Sequence, residues 1–354
     1  MNVVSATKAY ESWARQRIVL LAPDLRLKHQ RMREAAFPFL RASFYRWVTL
    51  YREACPELAA APPLLAVGDL HIENFGTWRD AEGRLIWGIN DFDEAAPMPY
   101  TIDLVRLATS AILAKRDEAL SIGARKAAAA VLEGYRAAIE RGAGAPFVLE
   151  ERNPALRAMA TGEERDPVRF WAKLASFRSA TPPRKVRDLI GRQLPDCQAP
   201  TRFIHRIAGL GSLGRQRYVG IAPSDGGFVA REAKAMLPPI YGGLRGGAKT
   251  YYATILKRAI RAPDPFVAAE QGWLLRRLAP HCTRIELGDL PKRSDEALLL
   301  EAMGAETANI HLGTRDAVPA IRRDLKKRGG SWLADAAATM ADATIKDWKD
   351  WRKT

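Results

Sequence analysis

Two short polar segments contain three side chains that could carry out phosphoryl transfer. Residues 67–76 include Asp69 and, five positions later, Asn74, and residues 89–94 include Asp91. Phosphoryl transfer needs a carboxylate that accepts the proton of the attacking hydroxyl. It also needs an amide oxygen and a second carboxylate to hold the magnesium that bridges the nucleotide phosphates. The spacing predicts Asp69 as the catalytic base, or as the carboxylate that orients the hydroxyl, and Asn74 and Asp91 as magnesium ligands.

The segment between these two loops predicts a β-hairpin. Residues 77–88 have strand-like ends around a polar turn, Asp-Ala-Glu-Gly. Such a hairpin would bring Asn74 and Asp91 to the same end of a sheet. A calcium loop is a competing interpretation of the acidic run at 90–94. That run lacks the alternating oxygen ligands and distal Glu of an EF-hand, and Phe92 interrupts it, so magnesium is favoured.

Four neighbouring residues are expected to support this site. His71 reads as a buried residue that braces the first loop. Asp93 could be a second magnesium ligand or accept bonds from Lys or Arg, and the structural role is favoured. Asp103 is predicted at the start of a helix, where it could cap that helix or reach back to the backbone of the first loop. Arg106, one turn later, is expected to pair with Asp103 or Glu94.

A glycine-rich segment far along the chain predicts a phosphate cradle. Residues 209–214 lie between two strand-like segments, 203–207 and 218–221, and a third at 228–234 carries a lysine. Glycines let backbone N–H groups approach phosphate oxygens, and the lysine adds positive charge. A dinucleotide-binding fingerprint would require a helix directly after the glycines, whereas the sequence continues as strand. The predicted nucleotide contacts are Gly209, Gly211, Ser212, Gly214 and Lys234.

Composition restricts the class of protein. The chain has 354 residues, of which 47% are hydrophobic and 27% charged, and no run of eighteen apolar residues suggests a membrane span. Three dispersed cysteines and a start without signal-peptide character favour a cytoplasmic protein. The net charge of +15 suggests an acidic partner. Aromatic residues are not interleaved with the basic runs, so nucleic acid is disfavoured as that partner.

The motifs also resemble known families. The pattern Gly-Asp-x-His-x-x-Asn at 68–74 resembles the aminoglycoside phosphotransferase and choline kinase branch of the protein-kinase-like superfamily. Together with Asn-Asp-Phe-Asp-Glu at 90–94 and Asp-Leu-x-Arg-Leu at 103–107, it resembles the bacterial family known as domain of unknown function 2252. The resemblance implies a two-lobed α+β fold, ATP and Mg²⁺ as cofactors, and a nucleotide and a small-molecule acceptor as partners.

The order of the motifs predicts a circular permutation. Kinase-like folds place the glycine-rich lobe before the catalytic loop, but here only 68 residues precede Asp69, and they read as helical. We therefore expect a permuted kinase-like fold. Its parts would be a largely helical large lobe (1–141), an irregular helical connection (142–200), a small antiparallel β-lobe (201–290) and C-terminal helices that complete the large lobe (291–354). An unrelated second domain from residue 200 onward is the alternative.

Individual elements can also be predicted from hydrophobic pattern. Helices are expected at 45–53, 111–141 and 295–311, and further strands of the small lobe at 273–278 and 283–287. The predicted function is an ATP- and Mg²⁺-dependent phosphotransferase that acts on a hydroxyl of a small molecule. The connection between Glu94 and Asp103 is too short for the activation loop of a protein kinase. The alternatives are a nucleotide-binding pseudokinase or regulatory module, an AMP transferase, and a basic nucleic-acid-associated protein.

Overall fold

The computed structural model describes residues 1–150, 153–161, 166–245, 247–282 and 295–354. These residues form an α+β structure with several antiparallel sheets. The N-terminal helices are α1 (Val3–Arg15), α2 (Ala22–Glu34), α3 (Ala36–Ala42), α4 (Phe44–Ala54), α5 (Pro56–Ala59), α6 (Thr101–Arg116) and α7 (Ala124–Arg141). The later helices are α8 (Pro154–Ala160), α9 (Pro167–Ser176), α10 (Arg184–Gly191), α11 (Tyr252–Arg258), α12 (Glu296–His311), α13 (Val318–Lys327) and α14 (Trp332–Arg352). None of the described helices is long and apolar enough to cross a membrane.

The strands of the described chain form three sheets. The strands are β1 (Pro63–Ala66), β2 (Phe75–Arg79), β3 (Leu85–Ile89), β4 (Ala96–Pro99), β5 (Phe147–Val148), β6 (Arg202–His205), β7 (Arg217–Ser224), β8 (Gly227–Ala235), β9 (Ala268–Glu270) and β10 (Trp273–Leu278). β1 pairs with β4, a second sheet has the order β2-β3-β5, and a five-stranded sheet has the order β6-β7-β8-β10-β9. All the pairings are antiparallel.

The strand pairings bring the two predicted loops together. β2 and β3 form the expected hairpin, with Phe75 opposite Ile89, so the residues just outside it are neighbours and the amide of Asn90 donates to the carbonyl of Asn74 at 3.0 Å. β1 and β4 are paired with Ala66 opposite Ala96, so the loop that follows β1 and the loop that precedes β4 leave their sheet at the same end. The hairpin prediction is confirmed.

Both faces of the five-stranded sheet have apolar and charged residues; Arg231 and Arg277 lie opposite each other on the first face, and we call the second the mixed face. On the first face Tyr218, Ala233 and Leu275 pack against the buried side of α10. Successive side chains of a strand point to opposite faces, so the intervening residues share the second face. Its three cross-strand rows are Ile221–Ala230–Leu278, Val219–Glu232–Arg276 and Arg217–Lys234–Leu274. Polarity increases along this face, from an apolar row to rows that carry charge.

The helical core joins the two ends of the chain. Buried residues of α6 and α7 share one hydrophobic cluster with buried residues of α12, α13 and α14. The closest approach is between α7 and α12, where two glycines remove the side chains that would separate the backbones. A Cβ on Gly134 would lie 1.9 Å from the carbonyl oxygen of Glu301, and a Cβ on Gly304 would lie 2.0 Å from that of Val131.

Gly304→Ala is therefore expected to destabilise the fold. The added methyl would meet backbone atoms, so the two helices would have to move apart, and overpacking of this kind costs about 1–3 kcal/mol or more. Chemical denaturation should show the loss. Gly329→Ala is the matched control, because a Cβ there meets nothing within 4 Å. Equal stability of the two variants would contradict the close helix packing.

Several predicted elements match the structure and others need correction. The predicted strands at 203–207, 218–221, 228–234 and 273–278 correspond to β6, β7, β8 and β10, and the helices at 45–53 and 295–311 to α4 and α12. The single helix expected at 111–141 is wrong: α6 ends at Arg116, Glu118 has a φ of 61°, and α7 begins after Gly123. α6 also begins at Thr101, two residues before Asp103. The predicted strand at 283–287 lies outside the described residues.

Candidate functional site

The predicted site residues meet around one cavity of about 610 Å³. It lies between the loops at the ends of β1 and β3 and the mixed face of the five-stranded sheet. From the two polar segments it is lined by Asp69, His71, Asn74, Asp91 and Asp93, and from the glycine-rich turn by Gly209, Gly211 and Ser212. Parts of the chain that are separated by well over a hundred residues thus form a single pocket.

Asp69 lies at the cavity wall and is bound to an arginine that sequence reasoning assigned elsewhere. Arg106 donates from Nε to Asp69 Oδ1 at 2.9 Å, from Nη2 to the same oxygen, and from Nη2 to the carbonyl of Leu40 at 2.9 Å. The expected pairing of Arg106 with Asp103 or Glu94 is therefore wrong. Burial raises the pKa of Asp69 to about 6, although Arg106 opposes the rise. A carboxylate with this pKa can accept a proton near neutral pH.

Asn74 and Asp91 present oxygens that suit magnesium. The Asn74 side-chain amide donates to the carbonyl of Asp69 at 3.0 Å, which fixes its orientation. Its Oδ1 is buried and finds no hydrogen-bond donor among the described residues. Such an orphaned acceptor is costly unless something binds it. The Asp91 side chain is 41% exposed at the same cavity.

Asn74 and Asp91 would hold magnesium only if a bound ligand supplied further oxygen atoms. Within the described residues, no group of three or more His, Cys, Asp and Glu side chains is placed to hold a metal ion. Mg²⁺ in phosphoryl-transfer sites commonly takes one or two protein oxygens and completes its shell with phosphates and water. The orphaned Asn74 oxygen and the exposed Asp91 carboxylate fit that pattern.

Asp103 supports the first loop from behind. It is fully buried and accepts hydrogen bonds from the backbone N–H groups of Val67 and Gly68, at 2.7 and 2.8 Å. Nε2 of His311, on α12, lies 2.9 Å from the same carboxylate. Of the two alternatives for Asp103, the structure shows the reach to the loop backbone rather than a helix cap. Helix α12 thereby contacts the residue that holds the first loop, residues 67–76.

The structure also places His71 and Asp93 as residues that support the site. His71 is buried, and its Nδ1 accepts a hydrogen bond from the N–H of Glu73 at 3.2 Å. Asp93 Oδ2 is 2.8 Å from Lys234 Nζ and 2.9 Å from Arg215 Nη1. Asp93 is buried, but the charges of Lys234 and Arg215 outweigh that effect and lower its pKa to about 2. It stays ionised as the counter-charge of two cations.

Lys234 is not placed as expected. It is 1% exposed and is held by Asp93 at 2.8 Å and Asp91 at 3.5 Å, and it lies behind these carboxylates instead of at the cavity wall. Glu232, two residues earlier on β8, binds arginines instead of Lys234. Lys234 therefore neutralises Asp91 and Asp93 in this structure. We call residues 90–94 the magnesium loop, after the role that the sequence predicts for Asp91.

The glycine-rich turn approaches Asp69 and the backbone of Arg41 closely. A Cβ on Gly211 would lie 2.9 Å from the carbonyl of Arg41 and 3.5 Å from Asp69 Oδ2, so only glycine permits this contact. Lys28, from α2, donates to the carbonyl of Gly211 at 3.0 Å and fixes the turn. Gly214 has a φ of +95°, lies beside Leu25 and does not line the cavity, unlike Gly209 and Gly211.

Sequence reasoning missed several residues that line the cavity. Lys28 lies in a segment rich in charge that reads as a solvated helix, yet its amine is buried and its pKa falls to about 8 because of burial. Glu94 is also buried, and its pKa rises to about 8 for the same reason. Arg206, Arg217 and Arg276 occupy strand or loop positions without any motif. Their position in the cavity lining depends on strand pairing, which no local sequence pattern reveals.

Comparisons with known proteins give a family match for part of the chain. The matching model describes an uncharacterised protein conserved in bacteria, DUF2252. Residues 21–176 match DUF2252. Searches of curated proteins and of solved structures found no match.

The DUF2252 match covers part of the cavity lining. It includes the loops with Asp69, Asn74 and Asp91, together with α6, and it ends at the last residue of α9. The glycine-rich turn and the five-stranded sheet lie beyond it. The matched segment therefore provides the five lining carboxylates and five of the nine lining lysine and arginine side chains, and the following residues provide the other four, all of them arginines.

The complete lining carries excess positive charge. Among the described residues, nine lysine and arginine side chains and five carboxylates line the cavity. The carboxylates lie on the loops of the matched segment, and arginines 206, 215, 217 and 276 lie on the turn and sheet. A pocket that has carboxylates together with an excess of lysine and arginine side chains suits a ligand that brings both an anion and a divalent cation.

Proposed function

We propose that the protein is an ATP- and magnesium-dependent phosphotransferase that acts on a hydroxyl of a small molecule. The observation that carries this proposal is the convergence of Asp69, Asn74, Asp91 and the glycine-rich turn on one cavity. Each of these was predicted for phosphoryl transfer from residue type and spacing alone. Their meeting in three dimensions supports the chemistry, because nothing in a purely structural role requires it.

The five-stranded sheet supports a permuted kinase-like fold. In protein kinases a glycine-rich loop covers the phosphates and the lysine is on the third strand. Here the glycine-rich turn joins β6 to β7, and the lysine is on β8, the third strand of the sheet. The catalytic loop precedes this sheet in sequence, and α12 packs against α7, so the helical lobe would be assembled from both ends of the chain. That arrangement is the one that a circular permutation of a kinase-like fold would produce.

The cavity also offers a place for a nucleotide base. Its lining includes an apolar group next to the sheet, from α9, β10 and neighbouring segments: Phe170, Leu174, Phe177, Ile207 and Leu278. Base rings bind to surfaces of this type, since stacking on aromatic and apolar groups does not depend on base identity. A ligand with its base at this wall and its phosphates towards Asp91 would point its terminal phosphate at Asp69.

The protein's own groups can perform the remaining steps. Asp69 would accept the proton of the acceptor hydroxyl, with Arg106 holding the carboxylate in position. Asn74 and Asp91 would hold magnesium, which when bound neutralises charge on the phosphates. The backbone of Gly209 and Gly211 would lie over the phosphate chain. Catalysis of this type consists mainly of positioning and electrostatic stabilisation.

Calorimetric titration with a non-hydrolysable ATP analogue tests the proposal. Wild-type protein should bind the analogue with magnesium and at least about 10-fold more weakly without it, since Asp91 and the phosphates share the ion. Asp91→Asn should remove most of this magnesium dependence. Asp188→Asn is the control, because that side chain is 58% exposed on α10. Absence of binding to the wild type would contradict the proposed function.

Turnover separates an enzyme from a binding module. Magnesium-dependent release of phosphate from ATP, with water as a slow acceptor, would support phosphotransfer, and screening of hydroxyl-bearing metabolites would follow. Release of pyrophosphate instead would indicate AMP transfer. Binding without either product under any acceptor tested would favour a nucleotide-binding pseudokinase.

A further inference from the structure

Three arginines converge on one carboxylate at the sheet side of the cavity. Glu232 Oε1 accepts from Arg217 Nη1 at 2.8 Å and from Arg276 Nε at 2.7 Å, and Oε2 accepts from Arg206 Nη1 at 2.6 Å. All three arginines line the cavity. We refer to Arg206, Arg217, Arg276 and Glu232 as the arginine cluster.

The arginine cluster has more positive charge than its carboxylate can neutralise. Glu232 is fully buried, and the three guanidinium groups hold its pKa well below the usual range, so it contributes one negative charge against three positive charges. Keeping like charges together away from water is unfavourable unless a counter-charge is present. Asp91 also acts electrostatically on Arg217 and Arg276, but even with it the three arginines keep excess positive charge, which an anion would neutralise.

Two arginines of the cluster have side-chain N–H donors that bind no other described residue. Arg217 also donates from Nη2 to Ser212 Oγ at 2.7 Å, so both its terminal nitrogens are engaged. Arg206 uses Nη1 alone and Arg276 uses Nε alone, and their other nitrogens donate to no described residue. The side chains of Arg206 and Arg276 are 21% and 25% exposed. A guanidinium group with free N–H donors facing a cavity is suited to phosphate.

The position of the cluster matches a phosphate chain more closely than a base. Glu232 and Arg276 lie in the row between the apolar row that contains Leu278 and the row that contains Lys234, which contacts Asp91. Rows on one face are about 7 Å apart, which is twice the rise per residue. The cluster is therefore adjacent both to the magnesium loop and, through Ser212, to the glycine-rich turn.

We propose that Arg206 and Arg276 bind the polyphosphate of the nucleotide and take the role expected for Lys234. Lys234 is occupied by Asp93 and Asp91 and holds the magnesium loop, whereas Arg206 and Arg276 line the cavity with N–H donors that bind no other described residue. This assignment rests on the proposed function for the identity of the nucleotide. The anion site itself follows from the charge and geometry of the cluster.

Binding of inorganic tripolyphosphate without magnesium tests the site independently of the nucleotide. Titration at low salt should show binding to the wild type that weakens as salt is added, because the interaction is electrostatic. Arg276→Gln and Arg206→Gln should each weaken it about 10-fold or more, the loss expected for charge-assisted hydrogen bonds. Arg184→Gln is the matched control, since it removes the same charge from an 88% exposed position on α10. Its affinity should equal that of the wild type.

Testing both arginine variants keeps the experiment interpretable if one of them does not fold. Each leaves two arginines on Glu232, and circular dichroism melting would establish that the variants are folded. Arg206 is in the loop after β6, so its replacement tests the site even if Arg276→Gln fails to fold. If both folded variants bind tripolyphosphate as tightly as the wild type, or the wild type binds none, the proposal is overturned.

Titration of the same variants with the magnesium–ATP analogue separates the two proposals. Loss of tripolyphosphate binding in both variants, together with no magnesium–ATP binding by the wild type, would support the anion site and contradict the nucleotide function. Unchanged magnesium–ATP binding in both variants would overturn the arginine assignment and leave the proposed function in place. Parallel losses for both ligands would support both.

Discussion

Asp69→Asn should lower the rate of magnesium-dependent ATP hydrolysis or transfer by about 10²–10⁴-fold while leaving nucleotide binding intact. Asparagine has nearly the same shape and can still accept a hydrogen bond from Arg106, but it cannot take a proton from the attacking hydroxyl. The loss should therefore appear in kcat. Single-turnover measurement of phosphate release, with calorimetry of the ATP analogue on the same preparation, would separate chemistry from binding.

The pH profile gives a second readout of the same prediction. Because the pKa of Asp69 is raised to about 6 by burial, the wild-type rate should fall as the pH decreases through about 6, where the base becomes protonated. Asp69→Asn should lack this acidic limb in its residual activity. Asp188→Asn, at an exposed position, should keep the wild-type rate and profile. Full activity in Asp69→Asn would show that another group removes the proton.

Arg106→Met should destabilise the protein by about 3–5 kcal/mol at pH 8, the cost of leaving a buried carboxylate without its partner. Arg106 is completely buried, donates to Asp69 and to the carbonyl of Leu40, and lies 4.9 Å from the ring centroids of both Phe44 and Trp47. Methionine keeps much of the packing but removes the charge and the donors. Urea denaturation monitored by tryptophan fluorescence would measure the change.

The pH dependence of stability, together with a double variant, identifies why Arg106→Met loses stability. Without Arg106, burial would raise the pKa of folded Asp69 above its value in the wild type, so the folded state would hold a proton more tightly than the unfolded state. The variant should then gain stability relative to the wild type as the pH falls from 8 to 5.

Asp69→Asn should recover part of the stability of Arg106→Met, because it removes the unpaired charge. Arg52→Met, at an exposed side chain that donates to the carbonyl of Tyr241, should cost much less. A loss of 3–5 kcal/mol in Arg52→Met as well, or no recovery in the double variant, would mean that general packing of arginines and not the pair with Asp69 explains the effect.

The local pattern of apolar and polar residues was sufficient to predict much of the secondary structure near the site. The hairpin at 77–88 followed from two apolar segments around a polar turn, and β7 and β8 followed from residues around the turn at 223–227. These elements depend on neighbours in sequence, which a local pattern contains. The helix expected at 111–141 failed because alanine-rich composition obscured the break at 117–123, where Ser121 and Ile122 donate backbone N–H groups to Glu296 of a distant helix.

The sequence by itself determined the chemical groups of the candidate site: Asp69, Asn74 and Asp91 on two loops, and a glycine-rich turn far downstream. Only the tertiary structure decided which groups face the cavity. It paired Arg106 with Asp69, buried Lys234 behind Asp91 and Asp93, and placed Arg206 and Arg276 at the wall. The physical reason is that a motif records residue type and spacing, whereas the partner of a buried charge depends on contacts between residues that are distant in sequence, 37 positions for Arg106 and Asp69 and 143 for Lys234 and Asp91. Such contacts exist only once the sheet and the helices have packed together.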